Sequence, residues 1–368
     1  MQLTTKQRTR VDWFLTILRI VALVVISAGF VAFVAQLINS DNPFARWANP
    51  DSINLTREQF QGLVVTGLAQ GAMYGLIALG YSMVYGVLGF INFAHGEVFM
   101  VGAMTGAITS NKLAEAGYWE SSFVLCLLLV VVLSMVVCTV TAVLMERVAY
   151  RPLRGKPRLV PLITSIGVSF FLQNCVLVLL GSTVKSYPSL PNWLTDKRTF
   201  LEIQGSKILV LVVAALAMVG LWYLVEKTKT GKAMRAVAED AEIASLMGID
   251  VNRIIVKTFA VGGAMAGVAG ILWGLLFRSV IHTTGFLPGI KAFSAAVVGG
   301  IGNLGGSMAG GLTIGVAESL GPLMILEPLG VSGPSQLRDA VAFAVLIIVL
   351  LVRPSGIFGE RLPSEERT

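Results

Sequence analysis

Two groups of residues in this chain of 368 have the types and spacing that chemistry uses. In GGIGNLGG, residues 299–306, the glycines Gly300, Gly302 and Gly305 spell G-x-G-x-x-G. That spacing lets a backbone approach a dinucleotide pyrophosphate. In the stretch 70–104, Asn92, His95 and Glu97 stand among apolar residues, and Lys291, in PGIKAFSAAVVGG, is a cation in a comparable setting. A hydrolase built on His95 and Glu97 would need a nucleophile at supporting spacing, and none stands there. The H-E-x-x-H, G-x-S-x-G and G-x-x-x-x-G-K-[ST] patterns are also missing, so the chain has no P-loop with which to cradle ATP phosphates.

The elements that must position these residues are set by composition. Hydrophobic residues make up 55% of the chain and charged residues 13%, where a soluble domain carries about a quarter charged; the mean hydropathy is +0.78. This is the composition of a membrane protein. Roughly 20 apolar residues cross a bilayer core, and candidate spans lie near 15–38, 62–84, 97–110, 122–145, 160–181, 207–225, 255–277, 292–325 (one element or two) and 338–352. The expected fold is therefore an all-α, polytopic helical bundle of about eight to ten spans, with no room for a large soluble domain. Cys126, Cys138 and Cys175 all lie inside apolar runs, as small hydrophobes, and suggest neither disulfides nor a metal cluster.

This setting decides against a dinucleotide site, which needs a strand before the glycines and a helix after them in a soluble βαβ unit. Here they sit in an apolar, small-residue segment, and Glu318, the downstream acid, lies in another apolar helix. Small residues in membranes have two other uses. They let helices approach closely, as in the pairs Gly302/Gly306, Gly306/Gly310 and Gly311/Gly315. They also permit a discontinuous or re-entrant helix where the backbone lines a cavity, which would set Gly299, Gly300 and Gly302 beside a substrate pathway. Polar and ionisable groups at membrane depth are functional-site candidates, so Asn92, His95, Glu97 and Lys291 join them. Two readings stay open for each ion: His95 as a pathway group or a histidine at a helix end, and Lys291 as a partner of Glu97 or a lysine snorkelling to the interface.

Charge orients the chain. The segment 146–158 carries Arg147, Arg151, Arg154, Lys156 and Arg158 against one acid, and the connector 226–253 carries Lys227, Lys229, Lys232, Arg235 and Arg253. The positive-inside rule puts both in the cytoplasm, and Lys6, Arg8 and Arg10 put the N-terminus there too. The first apolar run is too long for a signal-peptide core and no A-x-A site follows, so it reads as a retained anchor. The net charge of +7 then reflects topology and anionic lipid, with no call for nucleic acid. Within the connector, the pattern predicts one amphipathic helix over 232–247, with Met234, Val237, Ala238, Ala241 and Ala244 on one face, Lys232, Arg235, Glu239 and Glu242 on the other, and Gly248 as its stop. Its small apolar side chains suit a groove on a partner better than a lipid surface, which favours bulkier anchors.

These blocks resemble a known family. The connector GKAMRAVAEDAEIASLMGI is similar to the coupling loop of LivH-type permeases, which import branched-chain amino acids with an ATP-binding cassette motor. So are GYSMVYGVLGFINFAHGEVFM, ERVAYRPLR, LITSIGVSFFLQN and KAFSAAVVGGIGNLGGSMAGGL, and the resemblance runs from about residue 59 to 359. It implies a permease domain at 59–359 with a coupling helix at 231–248, an N-terminal extension with an extra anchor at 1–58, and a cytoplasmic tail at 360–368. It also implies a bacterial inner-membrane subunit that is not an enzyme and binds no cofactor. The implied partners are a second, LivM-like permease, two cytoplasmic ATPases of the LivG/LivF kind that hold ATP and Mg, and a periplasmic substrate-binding protein. ATPase coupling falls to Arg235, Ala238, Glu239, Asp240, Ala241, Ala244 and Gly248. Related permeases carry urea, short amides or other amino acids, and a secondary transporter would share broken helices but needs no docking helix.

Overall fold

The structure is a computed structural model that describes residues 57–157, 159–195, 204–326 and 333–359. The span expected at 15–38, with the rest of the extension, and the tail from 360 lie outside the described residues. In a bilayer core each backbone N–H and C=O must be satisfied within its own segment, which leaves the helix as the available element for these apolar runs. The helices are α1 (Arg57–Leu88), α2 (His95–Glu115), α3 (Phe123–Met145), α4 (Leu159–Leu180), α5 (Gly205–Lys227), α6 (Lys229–Glu239), α7 (Ala241–Leu246), α8 (Val251–Phe277), α9 (Phe286–Gly299), α10 (Leu304–Gly321) and α11 (Arg338–Val352). Among the described residues, seven helical stretches are long and apolar enough to cross a membrane.

Helices α1 and α8 form the centre: 67% of the apolar window of each is buried, against 22% in α4 and 6% in the stretch ending with α11. Small residues make that centre possible. A Cβ added at Gly71 on α1 would lie 2.8 Å from the Gly311 carbonyl oxygen on α10, so these two backbones touch. On the other side of α8, the buried Ser134 hydroxyl of α3 donates to the carbonyls of Gly102 on α2 (3.2 Å) and Gly267 on α8 (3.0 Å). The thiol of Cys138 reaches the Val98 carbonyl at 3.2 Å, and all three cysteines are free.

The region 292–325 is two elements. Gly300 (φ 104°) and Gly302 (φ 93°) turn the chain in conformations closed to other residues, and the Asn303 side chain accepts from the Gly306 N–H at 2.9 Å to start α10. Helix α9 has 14 residues, about 21 Å, too short for a core of about 30 Å. Both uses foreseen for the glycines are therefore present: a break at 300–303, and close packing of Gly306 and Gly310 on α9 and of Gly311 and Gly315 on α1.

The two basic segments lie at the same end of the bundle. There α3 runs on through a π-helical turn, Glu146–Tyr150, and Arg154 pairs with the wholly buried Glu146 while also donating to Asn252 at the start of α8. At the opposite end, β1 (Lys185–Ser186) pairs antiparallel with β2 (Ser279–Val280), and the Tyr187 hydroxyl donates to the Ala103 carbonyl at 2.7 Å.

The connector departs from the expected single helix. It is α6 followed by α7, broken at Asp240, which leaves the helical region (φ −153°, ψ 107°). The cause is capping: one Asp240 carboxylate oxygen accepts from the N–H groups of Glu242 (2.8 Å) and Ile243 (2.9 Å), satisfying donors at the start of α7. Thr228 and Asp250 cap α6 and α8 in the same way.

Candidate functional site

The stretch from Gly89 to Ala94 leaves α1 and folds back into the bundle, so α2 begins well below the end of α1. His95 lies against Gly80, eight residues before the end of α1 and hence about 12 Å inside it. The local sequence builds this turn. Gly89 takes a positive φ (69°), and the Asn92 side-chain oxygen accepts from the Ala94 N–H (3.1 Å) and from the Tyr150 hydroxyl (2.6 Å). Asn92 is thus a tether between the α2 start and the basic end of α3.

The N-terminus of α2 meets the N-terminus of α9. A Cβ added at Gly96 would lie 2.6 Å from the Gly285 carbonyl oxygen and 2.9 Å from the Gly289 Cα. Glu97, in the first turn of α2 and almost wholly buried, sits at this junction. Its Oε1 accepts from Gln173 Nε2 (2.7 Å) and Ser169 Oγ (3.2 Å), both near the middle of α4. Its Oε2 lies against Gly285 and has no hydrogen-bond partner. The junction is therefore near mid-depth, with a carboxylate between two positively polarised helix ends.

His95 is not at an interface. Its ring is wedged between α1 at Gly80 and α8 at Gly262, edge-on to Tyr81 with ring centres 5.1 Å apart. Tyr81 in turn lies beside Gly289 and packs on Phe293, whose other aromatic neighbour is Phe93.

The pairing considered for Glu97 and Lys291 does not form. Lys291 instead donates to Glu318 on α10 (2.7 Å) and to Asp339 at the start of α11 (2.5 Å), with its ammonium 5.7 Å from the centre of the Tyr74 ring. It does not snorkel either, since its side chain is 7% exposed. Lys291 thus joins α9, α10 and α11, away from the junction. Glu318 was visible in the sequence only as an acid in an apolar helix, and Gln173 and Ser169 only as part of LITSIGVSFFLQN. A buried acid facing a buried lysine is the signal that connects the first pair.

At the basic end, Gly231, Met234 and Val237 of α6 are buried, and Ala238 lies 3.8 Å from the Cβ position of Gly86 on α1. A cavity of about 60 Å³ lies beneath α6, lined by Ser82, Met83, Val225, Met234 and Gly302 among others. Gly302 therefore stands at this end, while Gly299 packs on Gly306 and Gly300 on the 356–359 segment, and none of the three reaches the α2/α9 junction. Arg235 pairs with Glu226. Ala244 faces inward, whereas Ala238, Glu239, Asp240, Ala241 and Gly248 are exposed. Sequence reasoning missed Ile243, Leu246 and Met247, which are 58%, 83% and 79% exposed on α7 and just after it.

A helical bundle with two broken helices meeting tip to tip, and a short amphipathic unit on its basic end, defines a polytopic helical membrane protein. The chain matches the family model described as "Branched-chain amino acid transport system / permease component" over residues 63–350, and it belongs to that family. It is 45% identical over 300 residues to the high-affinity branched-chain amino acid transport system permease protein BraD of Pseudomonas aeruginosa, covering 80% of this chain and 94% of that protein. It is 41% identical to LivH of Escherichia coli K12 (80% and 93%) and 30% identical to a probable LivH of Methanocaldococcus jannaschii (77% and 88%). The chain is a transport component and not an enzyme.

Proposed function

We propose that this chain is the transmembrane permease subunit of an ATP-driven importer that moves branched-chain amino acids across a bacterial inner membrane by alternating access. The observation that carries the reading is the α6–α7 unit. It buries Met234 and Val237 and sets Ala238 against Gly86 of α1, yet leaves Ile243, Leu246 and Met247 open at the basic end, where a soluble partner can cover them. These side chains are bulkier than the alanines expected to dock, and it is the exposed acids beside them, Glu239, Asp240 and Glu242, that favour a groove on the ATPase over an anionic lipid surface. The positive-inside rule supports a cytoplasmic side for this basic end, and Lys6, Arg8 and Arg10 support the same side for the N-terminus. The chain itself holds no cofactor; ATP and Mg belong to two LivG/LivF-like ATPases, substrate comes from a periplasmic binding protein, and a second, LivM-like permease completes the path.

Closure of the ATPases on nucleotide pushes α6 and α7 and tilts the helices around the junction of α2 and α9. Glu97 and His95 line the path in this mechanism, while Asn92 and Lys291 hold the elements that frame it. The test is co-purification of this chain with its ATPases, followed by leucine uptake into vesicles holding the complete transporter. Uptake that needs ATP and the binding protein supports the reading. A complex that assembles without ATPases, or moves substrate down an ion gradient with no ATP, overturns it.

A further inference from the structure

Among the described residues Glu97 shares an unpartnered Oε2 with the buried acids Glu146 and Glu318 and differs from them in having no cation. Glu318 has Lys291 and Glu146 has Arg154, but no Lys, Arg or His pairs with Glu97 among the described residues. Both hydrogen bonds that reach it arrive at Oε1, from neutral groups on α4. Oε2 is left without a donor although the residue is almost wholly buried, and a buried carboxylate in that state lacks both its hydrogen bond and its counter-ion. Water would supply the first but not the second.

The free oxygen lies where two helix N-termini, those of α2 and α9, converge. Such ends favour an anion. On the side toward the basic end, Tyr81, Ile91 and Phe293 border an apolar cleft of about 10 Å³, too small for a side chain until the tips part. A group offering a cation to Glu97, an anion to the helix ends and an apolar branch to the cleft is an α-amino acid in its zwitterionic form.

We propose that Glu97 Oε2 is the acceptor for the substrate's α-ammonium group. The inference rests on the permease reading given above. In the present state the backbones at Gly96, Gly285 and Gly289 are in contact, so the site is closed. Separation of the α2 and α9 tips opens it, and the ammonium then takes the place beside Oε2 that no side chain fills. Ser169 and Gln173 are positioning residues that hold Oε1 and so aim Oε2.

The test uses the membrane complex of permeases and ATPases in detergent, with radiolabelled leucine binding as the direct readout and 4-methylpentanoate, which lacks only the amino group, as competitor. Leucine should compete at least tenfold better than 4-methylpentanoate. Glu97→Gln should weaken leucine binding at least tenfold in a complex that still assembles with its ATPases. Equal competition by 4-methylpentanoate on the parent complex overturns the assignment and does not depend on any variant folding. So does a Glu97→Gln complex that binds leucine as the parent does. If the parent binds and transports no amino acid at all, it is the permease reading that fails, and the two failures are told apart.

Discussion

Replacing Lys291 by methionine removes the cation from a network of two carboxylates and tests whether that network holds α9, α10 and α11 together. Lys291 and Glu318 are 7% and 6% exposed and their charged atoms are 2.7 Å apart, whereas Asp339 is 47% exposed. Taking one partner from a buried, hydrogen-bonded pair leaves an uncompensated charge and costs about 3–5 kcal/mol. At about 2 °C per kcal/mol for a chain of this size, the apparent Tm of the purified complex should fall by roughly 6–10 °C. Asp339→Asn should lose no more than about 1 kcal/mol, because solvent already screens that carboxylate. Combining Lys291→Met with Glu318→Gln removes both charges at once and should recover about 2–3 kcal/mol of the single-variant loss. Thermal unfolding followed by tryptophan fluorescence reads the parent, the singles Lys291→Met, Glu318→Gln and Asp339→Asn, and the double variant. The reasoning is refuted if Lys291→Met unfolds within about 2 °C of the parent, or if the double variant is no more stable than the sum of the singles implies. The same cycle with Glu97→Gln should be additive, since Lys291 and Glu97 share no partner.

Single cysteines at Lys156 and Ala241, both exposed, should react with impermeant thiol reagents from the cytoplasmic side alone; labelling from the periplasm would reverse the orientation. Gly71→Leu forces a side chain against the Gly311 backbone and should destabilise the complex by about 3 kcal/mol or more, lowering the amount of assembled transporter recovered. Leu246→Ser with Met247→Ser exposes no core and should leave the permease folded, yet lose about 2–4 kcal/mol of ATPase binding at roughly 1–2 kcal/mol per buried side chain; pull-down at parent levels would remove α7 from the interface. Glu239→Lys and Ala241→Trp, on the same exposed surface, should likewise separate ATP hydrolysis from substrate.

The helices were legible because the bilayer leaves so few alternatives: each apolar run from 62 onward became a helix within a few residues of its expected ends. The break between α9 and α10 was only half legible: the glycines allowed a discontinuous helix or tight packing, and the cap by Asn303 that starts α10 was not foreseen. Hydropathy could not show where α2 begins. The run 70–104 is apolar on both sides of the turn, and the depth of His95 is set by contacts with Gly80 and Gly262 that lie far away in sequence. The partner of Lys291 was hidden for the same reason, being 27 residues distant on another helix. The connector misled more simply. Its apolar spacing runs straight through Asp240, but a side chain that caps α7 outcompetes one more turn of α6.

Whether the cytoplasmic unit can act on the junction depends on how stiffly α6 is joined to α1. Ala238 faces Gly86, and Gly80 and Tyr81, which bear on His95 and Gly289, lie only about 9 Å further along the same unbroken helix. A tilt of the basic end of α1 therefore moves the groups that cover the α2 tip, provided α6 carries α1 with it instead of sliding across it. The Cβ position of Gly86 and the Cβ of Ala238 are 3.8 Å apart, within the range a disulfide spans without backbone movement. Gly86→Cys with Ala238→Cys should thus crosslink under mild oxidation, as judged by protection from maleimide, while each single variant does not. If α6 and α1 move as one body, the crosslinked transporter keeps leucine uptake and substrate-stimulated ATP hydrolysis within about twofold of its reduced form. If instead oxidation stops uptake and reduction restores it, α6 must slide over α1 during each cycle, and the route from motor to junction runs through α5 and α8.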